Sequence, residues 1–255
     1  MNIRKLFVLF LLISLLTASA CSDKKDTSDS SAPGGIDIVA EDGKKYLLDR
    51  TTYKLIPIDP KKHSEKVVLL TFDDGPRDSA VNESLLSTLD KHNAKAIFFM
   101  NGVHVESNPG LVKLVHDRGQ MIGNHSWEHL DLTHESEASV ALQIDKVQTA
   151  VKNITGVAPV FIRPPYLAIN DLVVQEAEKA GAVVMSASID PRDWEMTPEN
   201  NNPDEIVRRV MDVLHPGGNI LMHEYPWTAE ALDNLLTKLK EQGYSFVDPY
   251  SIRVP

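Results

Sequence analysis

Two adjacent carboxylates, Asp73 and Asp74, stand in the run Thr71-Phe72-Asp73-Asp74-Gly75-Pro76, and two histidines four apart, His125 and His129, stand in Asn124-His125-Ser126-Trp127-Glu128-His129. Two imidazoles and one carboxylate can chelate a divalent metal and leave positions open for water. That donor set suits Zn²⁺, and equally non-haem iron or manganese. On a helical turn, residues four apart share a face, which would bring His125 and His129 to one ion. Either Asp73 or Asp74 completes the set, and residue type does not choose between them. Taken singly, the pieces have plain alternatives: Asp-Asp-Gly-Pro is turn chemistry, and an isolated HxxxH is a pair of surface histidines. The spacing is also not the HExxH of metalloproteases, because Ser126 follows His125. The weight comes from further polar groups downstream: Arg163-Pro164-Pro165-Tyr166, Asp190-Pro191-Arg192-Asp193-Trp194 and Leu221-Met222-His223.

These groups fall in phase with a rhythm of secondary structure. Apolar, strand-like runs occupy 67–72, 95–100, 120–123, 160–163, 182–187, 218–222 and 244–247. Amphipathic stretches lie between them at 79–92, 109–118, 135–153, 170–180, 203–214 and 227–241. Leu85, Leu86 and Leu89 keep helical spacing in the first, and Val140, Ile144, Val147 and Val151 in the third. Strands alternating with helices argue for parallel strands joined by helical crossovers, either a barrel or an open doubly wound sheet. In both, function gathers at the C-terminal ends of the strands. Five strand ends here deliver titratable groups to one such rim. Ahead of this rhythm, residues 36–63 read as a small β arm. Ile36-Asp37-Ile38-Val39 and Tyr46-Leu47-Leu48 form its strands, and Glu41-Asp42-Gly43-Lys44 the turn between them.

The chain has 255 residues and a net charge of −10, with no basic stripe, which argues against nucleic-acid binding. Hydrophobic content of 42% and charged content of 24% are those of an ordinary globular protein. Residues 1–20 read as a signal peptide: Arg4 and Lys5, then the apolar stretch Leu6 to Leu16, then Ala18-Ser19-Ala20. The one cysteine, Cys21, follows directly. This arrangement resembles the lipobox of bacterial lipoproteins, although Ala18 stands where Leu is usual; the alternative is cleavage after Ala20 and plain secretion. Residues 21–35, rich in Ser, Asp, Lys and Gly, read as a flexible tether.

The five motifs together resemble those of the polysaccharide deacetylases of carbohydrate esterase family four, the NodB-homology group. They stand here as TFDDGP at 71–76, HSWEH at 125–129, RPPY at 163–166, DPRDW at 190–194 and LMH at 221–223, in the family's order, within a resemblance over roughly 64–250. The resemblance implies an α/β fold, a distorted (β/α) barrel of about seven parallel strands, filling a catalytic domain at 64–255 behind the small N-terminal β arm. It implies metal-dependent removal of acetyl groups from N-acetylated sugars. Asp74, His125 and His129 would ligate one divalent metal, zinc first, with cobalt or manganese as alternatives. Asp73 would be the general base, oriented by Arg163, and His223 the general acid, oriented by Asp190. The backbone N–H of Tyr166 would help hold the oxyanion, and Trp194 and Leu221 would form the pocket for the acetyl methyl. One departure is Leu167, which follows Tyr166 where the family usually has glycine.

An exported chain with a lipid anchor on Cys21 would meet the cell wall first. The expected substrate is therefore peptidoglycan N-acetylglucosamine, with no protein partner implied. An O-acetyl esterase of the xylan type and a chitooligosaccharide deacetylase share the chemistry. A non-catalytic glycan-binding relative is the alternative of another class, against which every motif position is filled. A non-haem iron oxygenase would need a cosubstrate clamp that the sequence does not offer.

Overall fold

The computed structural model describes residues 43–254. The signal peptide, Cys21, the tether and the first arm strand at 36–39 lie outside the described residues. Strand β1 (Tyr46–Leu48) pairs antiparallel with β2 (Leu55–Pro57). The turn expected at 41–44 lies partly outside the described residues; the β1–β2 hairpin is a second one, not anticipated from the sequence. Its turn lies at 49–54, where Asp49 Oδ1 accepts hydrogen bonds from the N–H groups of Thr51 and Thr52 at 2.7 and 3.0 Å. An aspartate that caps its own turn is a local signal of that bend.

The main sheet is built from β3 (Val67–Gly75), β4 (Ala96–Met100), β5 (Met121–Asn124), β6 (Phe161–Ile162), β7 (Val183–Val184), β8 (Gly218–His223) and β9 (Ser245–Phe246). All pairings in it are parallel, in the order β7-β6-β5-β4-β3-β8, with β9 paired to the start of β3. Beyond β7, a single parallel bridge joins Ile189 to Ile220 of β8, which draws the open ends of the sheet together. This is the distorted α/β barrel of about seven parallel strands that the family resemblance implies, one of the two forms the strand rhythm allows. Helices α1 (Ser79–His92), α2 (Gly102–Ser107), α3 (Pro109–Asp117), α4 (Glu137–Thr155), α5 (Asp171–Lys179), α6 (Pro203–Asp212) and α7 (Pro226–Glu241) fill the connections. Only the short α2 was not anticipated.

Alternation along the strands divides the core. Val68, Leu70 and Phe72 join Phe98, Ile122, Ile220 and Met222 in the layer packed under the helices. Their neighbours Val67 and Leu69 join Ile97, Phe99, Met121, Phe161, Val183 and Met185 in a second cluster inside the barrel. Tyr46, Leu55 and Ile252 belong to that inner cluster too. The arm and the final strand β10 (Ile252–Arg253), which pairs with β1, thus close one end of the barrel. The apolar fill stops at Leu69 on β3. Thr71 and Asp73 continue the same face, and opposite them on β8 lie Leu221 and His223. The inward face turns polar at the C-terminal mouth.

Candidate active site

The register of β3 explains how two identical neighbours take different positions. Asp73 pairs with Phe99 and Gly75 with Met100, so Asp74 is the extra residue of a bulge. Its backbone is left-handed, with φ 71°. Asp73 stays on the inner face, 2% exposed, while Asp74 is swung to another direction. Gly75 permits the close packing beneath: a Cβ there would lie 1.7 Å from Oε1 of Glu224. Glu224 is buried, takes a 2.6 Å hydrogen bond from Asn82 Nδ2, and has its pKa pushed up to about 8, chiefly by burial. No sequence motif pointed to it.

Asp73 Oδ1 receives Arg163 Nη1 at 2.8 Å. Arg163 is wholly buried. Its guanidinium also donates to Thr71 Oγ1, the carbonyls of Met185 and Ser186, and Asn219 Oδ1, at 2.7 to 3.3 Å. Five bonds use all five of its N–H groups, and the cation lies 4.3 Å over the Phe99 ring. Burial works to lower its pKa, and the charge and hydrogen bond of Asp73 oppose that. A charge this deep survives only when paired and fully bonded. The second oxygen of Asp73, Oδ2, lies 3.9 Å from His125 Nε2 and is not taken up by Arg163.

Asp74 Oδ1 lies 3.5 Å from His125 Nε2 and 3.3 Å from His129 Nε2. His125 Nδ1 sits 2.6 Å from the carbonyl of Arg163, so Nδ1 carries the proton and Nε2 presents a lone pair. Asp74 Oδ1 is buried with no hydrogen-bond partner. Lone pairs facing one another with no proton between them fit a cation, and these three residues offer ligand atoms within 4.8 Å of one another. Burial opposes ionisation of Asp74, but the imidazoles of His125, His223 and His129 around it outweigh that and hold its carboxyl well below the usual range. His129 has its pKa lowered by burial and by His125, which favours the neutral, ligating imidazole. The expected helical turn at 125–129 is absent. Instead, left-handed Ser126 and His129 bend the loop, and Ser126 Oγ and Gln143 Oε1 accept its backbone N–H groups. The imidazole centroids come to 5.0 Å by this route.

His223 stands across from Asp73 in the β3–β8 register. Its Nδ1 meets Asp193 Oδ1 at 2.7 Å. The carboxylate expected there was Asp190, and the structure corrects this. Arg192 is left-handed and starts a tight turn at Asp193–Glu195, which buries Asp193 completely while Asp190 stays exposed. Asp190 instead accepts from Arg192 N and from Trp194 Nε1, capping its own turn. Asp193 Oδ2 also takes the backbone N–H of His223 and the Thr228 hydroxyl, each at 2.7 Å, and its carbonyl takes Trp227 Nε1 at 2.9 Å. Thr228 and Trp227 lie on α7, outside every motif. Burial disfavours the imidazolium of His223, but the hydrogen bond and charge of Asp193, then the charges of Asp73 and Asp74, push its pKa up to about 9.

Around this centre, Tyr166 is 69% and Trp194 51% exposed, whereas Leu221 is buried in β8. The Tyr166 ring stands edge-on to His129, centroids 4.8 Å apart. Leu167 is left-handed, φ 55°, in the place where glycine would be unstrained. Of the eight non-glycine residues with left-handed backbone among the described residues, six (Asp74, Ser126, His129, Tyr166, Leu167 and Arg192) belong to these rim loops. Such strain concentrates where the chain must aim side chains rather than pack them.

The polysaccharide deacetylase family pattern matches residues 60–185. A peptidoglycan N-acetylglucosamine deacetylase of Bacillus cereus is 37% identical over 192 residues, covering 72% of this chain and 87% of that one. The chain belongs to the polysaccharide deacetylase family. The peptidoglycan N-acetylglucosamine deacetylase PgdA of Listeria monocytogenes is 42% identical over 212 residues, 83% of this chain; the match spans 43% of that protein's length. Among solved structures, a family-four carbohydrate esterase pseudoenzyme from Bacillus anthracis superposes with a TM-score of 0.68 at 31% identity, over 75% of this chain and 68% of its own.

Proposed function

We propose that this protein is an exported, zinc-dependent deacetylase that hydrolyses the N-acetyl group of N-acetylglucosamine in peptidoglycan. The observation that carries the reading is the division of labour around one point: Asp74, His125 and His129 converge, Asp73 keeps one oxygen free, and His223 stands opposite on Asp193. The substrate is suggested by the relatives' names. A non-catalytic relative is disfavoured because each of these positions is filled.

A divalent cation held by Asp74, His125 and His129 would supply Lewis acidity, lowering the pKa of a water and polarising the acetyl carbonyl. The chain's own groups do the rest. Asp73 Oδ2 takes a proton from the attacking water while Arg163 fixes the other oxygen. The new C–O bond forms at the acetyl carbon as the carbonyl π bond opens, and the former carbonyl oxygen, which takes up the negative charge, is stabilised in part by the Tyr166 backbone N–H, a kind of donor worth about 3 kcal/mol. As the C–N bond breaks, His223 gives the amine nitrogen the proton it needs, leaving acetate and a free amino sugar. Trp194 and Leu221 bound the methyl group.

Acetate release from purified peptidoglycan, chitooligosaccharides and acetylated xylan tests the substrate. Peptidoglycan should be fastest; faster xylan turnover makes the protein an O-acetyl esterase, and faster chitooligosaccharide turnover makes it a chitin-type deacetylase.

The lipid anchor on Cys21 is part of the same proposal, and it rests on sequence. Among the described residues, no helix is long and apolar enough to cross a membrane. The full-length protein should fractionate with membranes, and Cys21→Ser should move it to the soluble fraction. A wild-type protein that is already soluble would remove the anchor.

A further inference from the structure

The mouth of the barrel carries an arginine, Arg77, that has no acidic partner among the described residues. Arg77 follows the Gly75-Pro76 turn and is exposed. Its Nε donates to His104 Nε2 at 2.9 Å, so that ring nitrogen is unprotonated and the imidazole neutral. Burial first, then the charge of Arg77, lowers the pKa of His104 in keeping with this. Beyond that bond the guanidinium has no hydrogen bond and no ion pair among the described residues. The next acid in sequence is not available to it, because Asp78 Oδ1 accepts the N–H groups of Ala80 and Val81 and caps α1. The loop itself is tied down: Asn101 N donates to the Gly75 carbonyl and Asn108 Nδ2 to the Pro76 carbonyl, both at 3.0 Å.

Arg77 lies close enough to the centre for its charge to act on His129, Glu224 and Tyr225. In a chain with 36 acids against 26 bases, an exposed arginine at the barrel mouth with no ion pair among the described residues leaves room for an anionic occupant. His104 orients the guanidinium through Nε and adds no charge, so both Nη groups remain for a ligand. A planar fork of this kind matches a carboxylate.

We propose that Arg77, oriented by His104, is a subsite for a carboxylate that the glycan carries on a sugar next to the one deacetylated. The inference rests on the peptidoglycan reading above. Alternate sugars of that polymer are N-acetylmuramic acid, whose lactyl carboxyl is free in strands stripped of peptide, whereas chitooligosaccharides of equal length are neutral.

The test is calorimetric binding of both glycans to the full protein and to Arg77→Gln and Arg77→Lys. Arg77→Gln should weaken binding of the carboxylate glycan about tenfold, the loss expected for a charge-assisted pair, and leave the chitooligosaccharide unchanged. Arg77→Lys should restore part of the loss, and added salt should erode the wild-type preference while leaving the binding of Arg77→Gln to both glycans largely unchanged. If wild type shows no preference for the carboxylate glycan, or if Arg77→Gln weakens both ligands alike or neither, the subsite is overturned. Acetate release, measured separately on the same glycans, reports on the proposed function: its absence with the binding preference intact removes the catalytic reading and not the subsite.

Discussion

Asp73→Asn is expected to keep one metal ion per chain and to lose about 10²–10⁴-fold in kcat, the range for removal of a general base. The substitution keeps size and polarity, and an amide at this position still reaches Arg163, but it cannot take a proton from water. Asp74→Asn is expected to do the reverse. It leaves two imidazoles and a weak neutral donor at the buried position where Asp74 Oδ1 now has no other partner. Metal should bind far more weakly, and excess metal should restore part of the activity. His125→Ala and His129→Ala should follow Asp74→Asn. Elemental analysis paired with acetate release across added metal separates the two patterns. Loss of metal in Asp73→Asn with retention in Asp74→Asn would reverse the roles, and retention of metal and activity in all four variants would move the active site elsewhere.

Asp193→Asn should cost 10²-fold or more in kcat, and Asp190→Asn less than about tenfold, because only Asp193 touches the imidazole that gives up the proton. The pH profile of kcat/KM should carry the same distinction. His223 holds its proton to about pH 9 in large part because Asp193 accepts from it. Without that charge the protonated form is lost at lower pH, so the alkaline limb should move toward acid in Asp193→Asn and stay in place in Asp190→Asn. Stability follows the same sign. A histidine raised above its ordinary value of 6.5 contributes fully below that pH, and the contribution fades as pH rises toward 9. The wild type should lose this increment across that window, and Asp193→Asn should show little of it. An alkaline limb that shifts in Asp190→Asn instead would restore the assignment expected from the sequence.

That reassignment shows where the sequence was legible. The period of apolar runs placed β4, β5 and β8 within one residue at each end and β3 at its start, three residues short of its end, because strands buried on both faces are marked by their own composition. It placed β6 and β7 only as longer runs, since each strand spans two residues while the adjoining Ala182 and Met185 are buried as well. Motif residues could be found because their types are unusual at strand ends. Their partners could not. Asp190 and Asp193 differ in role through the left-handed backbone of Arg192, which a string of letters does not display. Thr228 and Gln143 are ordinary helix residues whose side chains matter only once α7 and α4 are packed against the rim. The helical turn at His125–His129 failed for the same reason: spacing fits a helix, but the loop bends through left-handed residues that Ser126 and Gln143 hold in place.

On the proposed function, one cation at Asp74, His125 and His129 makes this barrel a deacetylase. The most direct test of that function is titration of metal-free enzyme with zinc while acetate release from peptidoglycan is followed. Activity should start near zero, rise linearly and saturate at one ion per chain. Full activity in the stripped enzyme, or no acetate at any metal content, would contradict it.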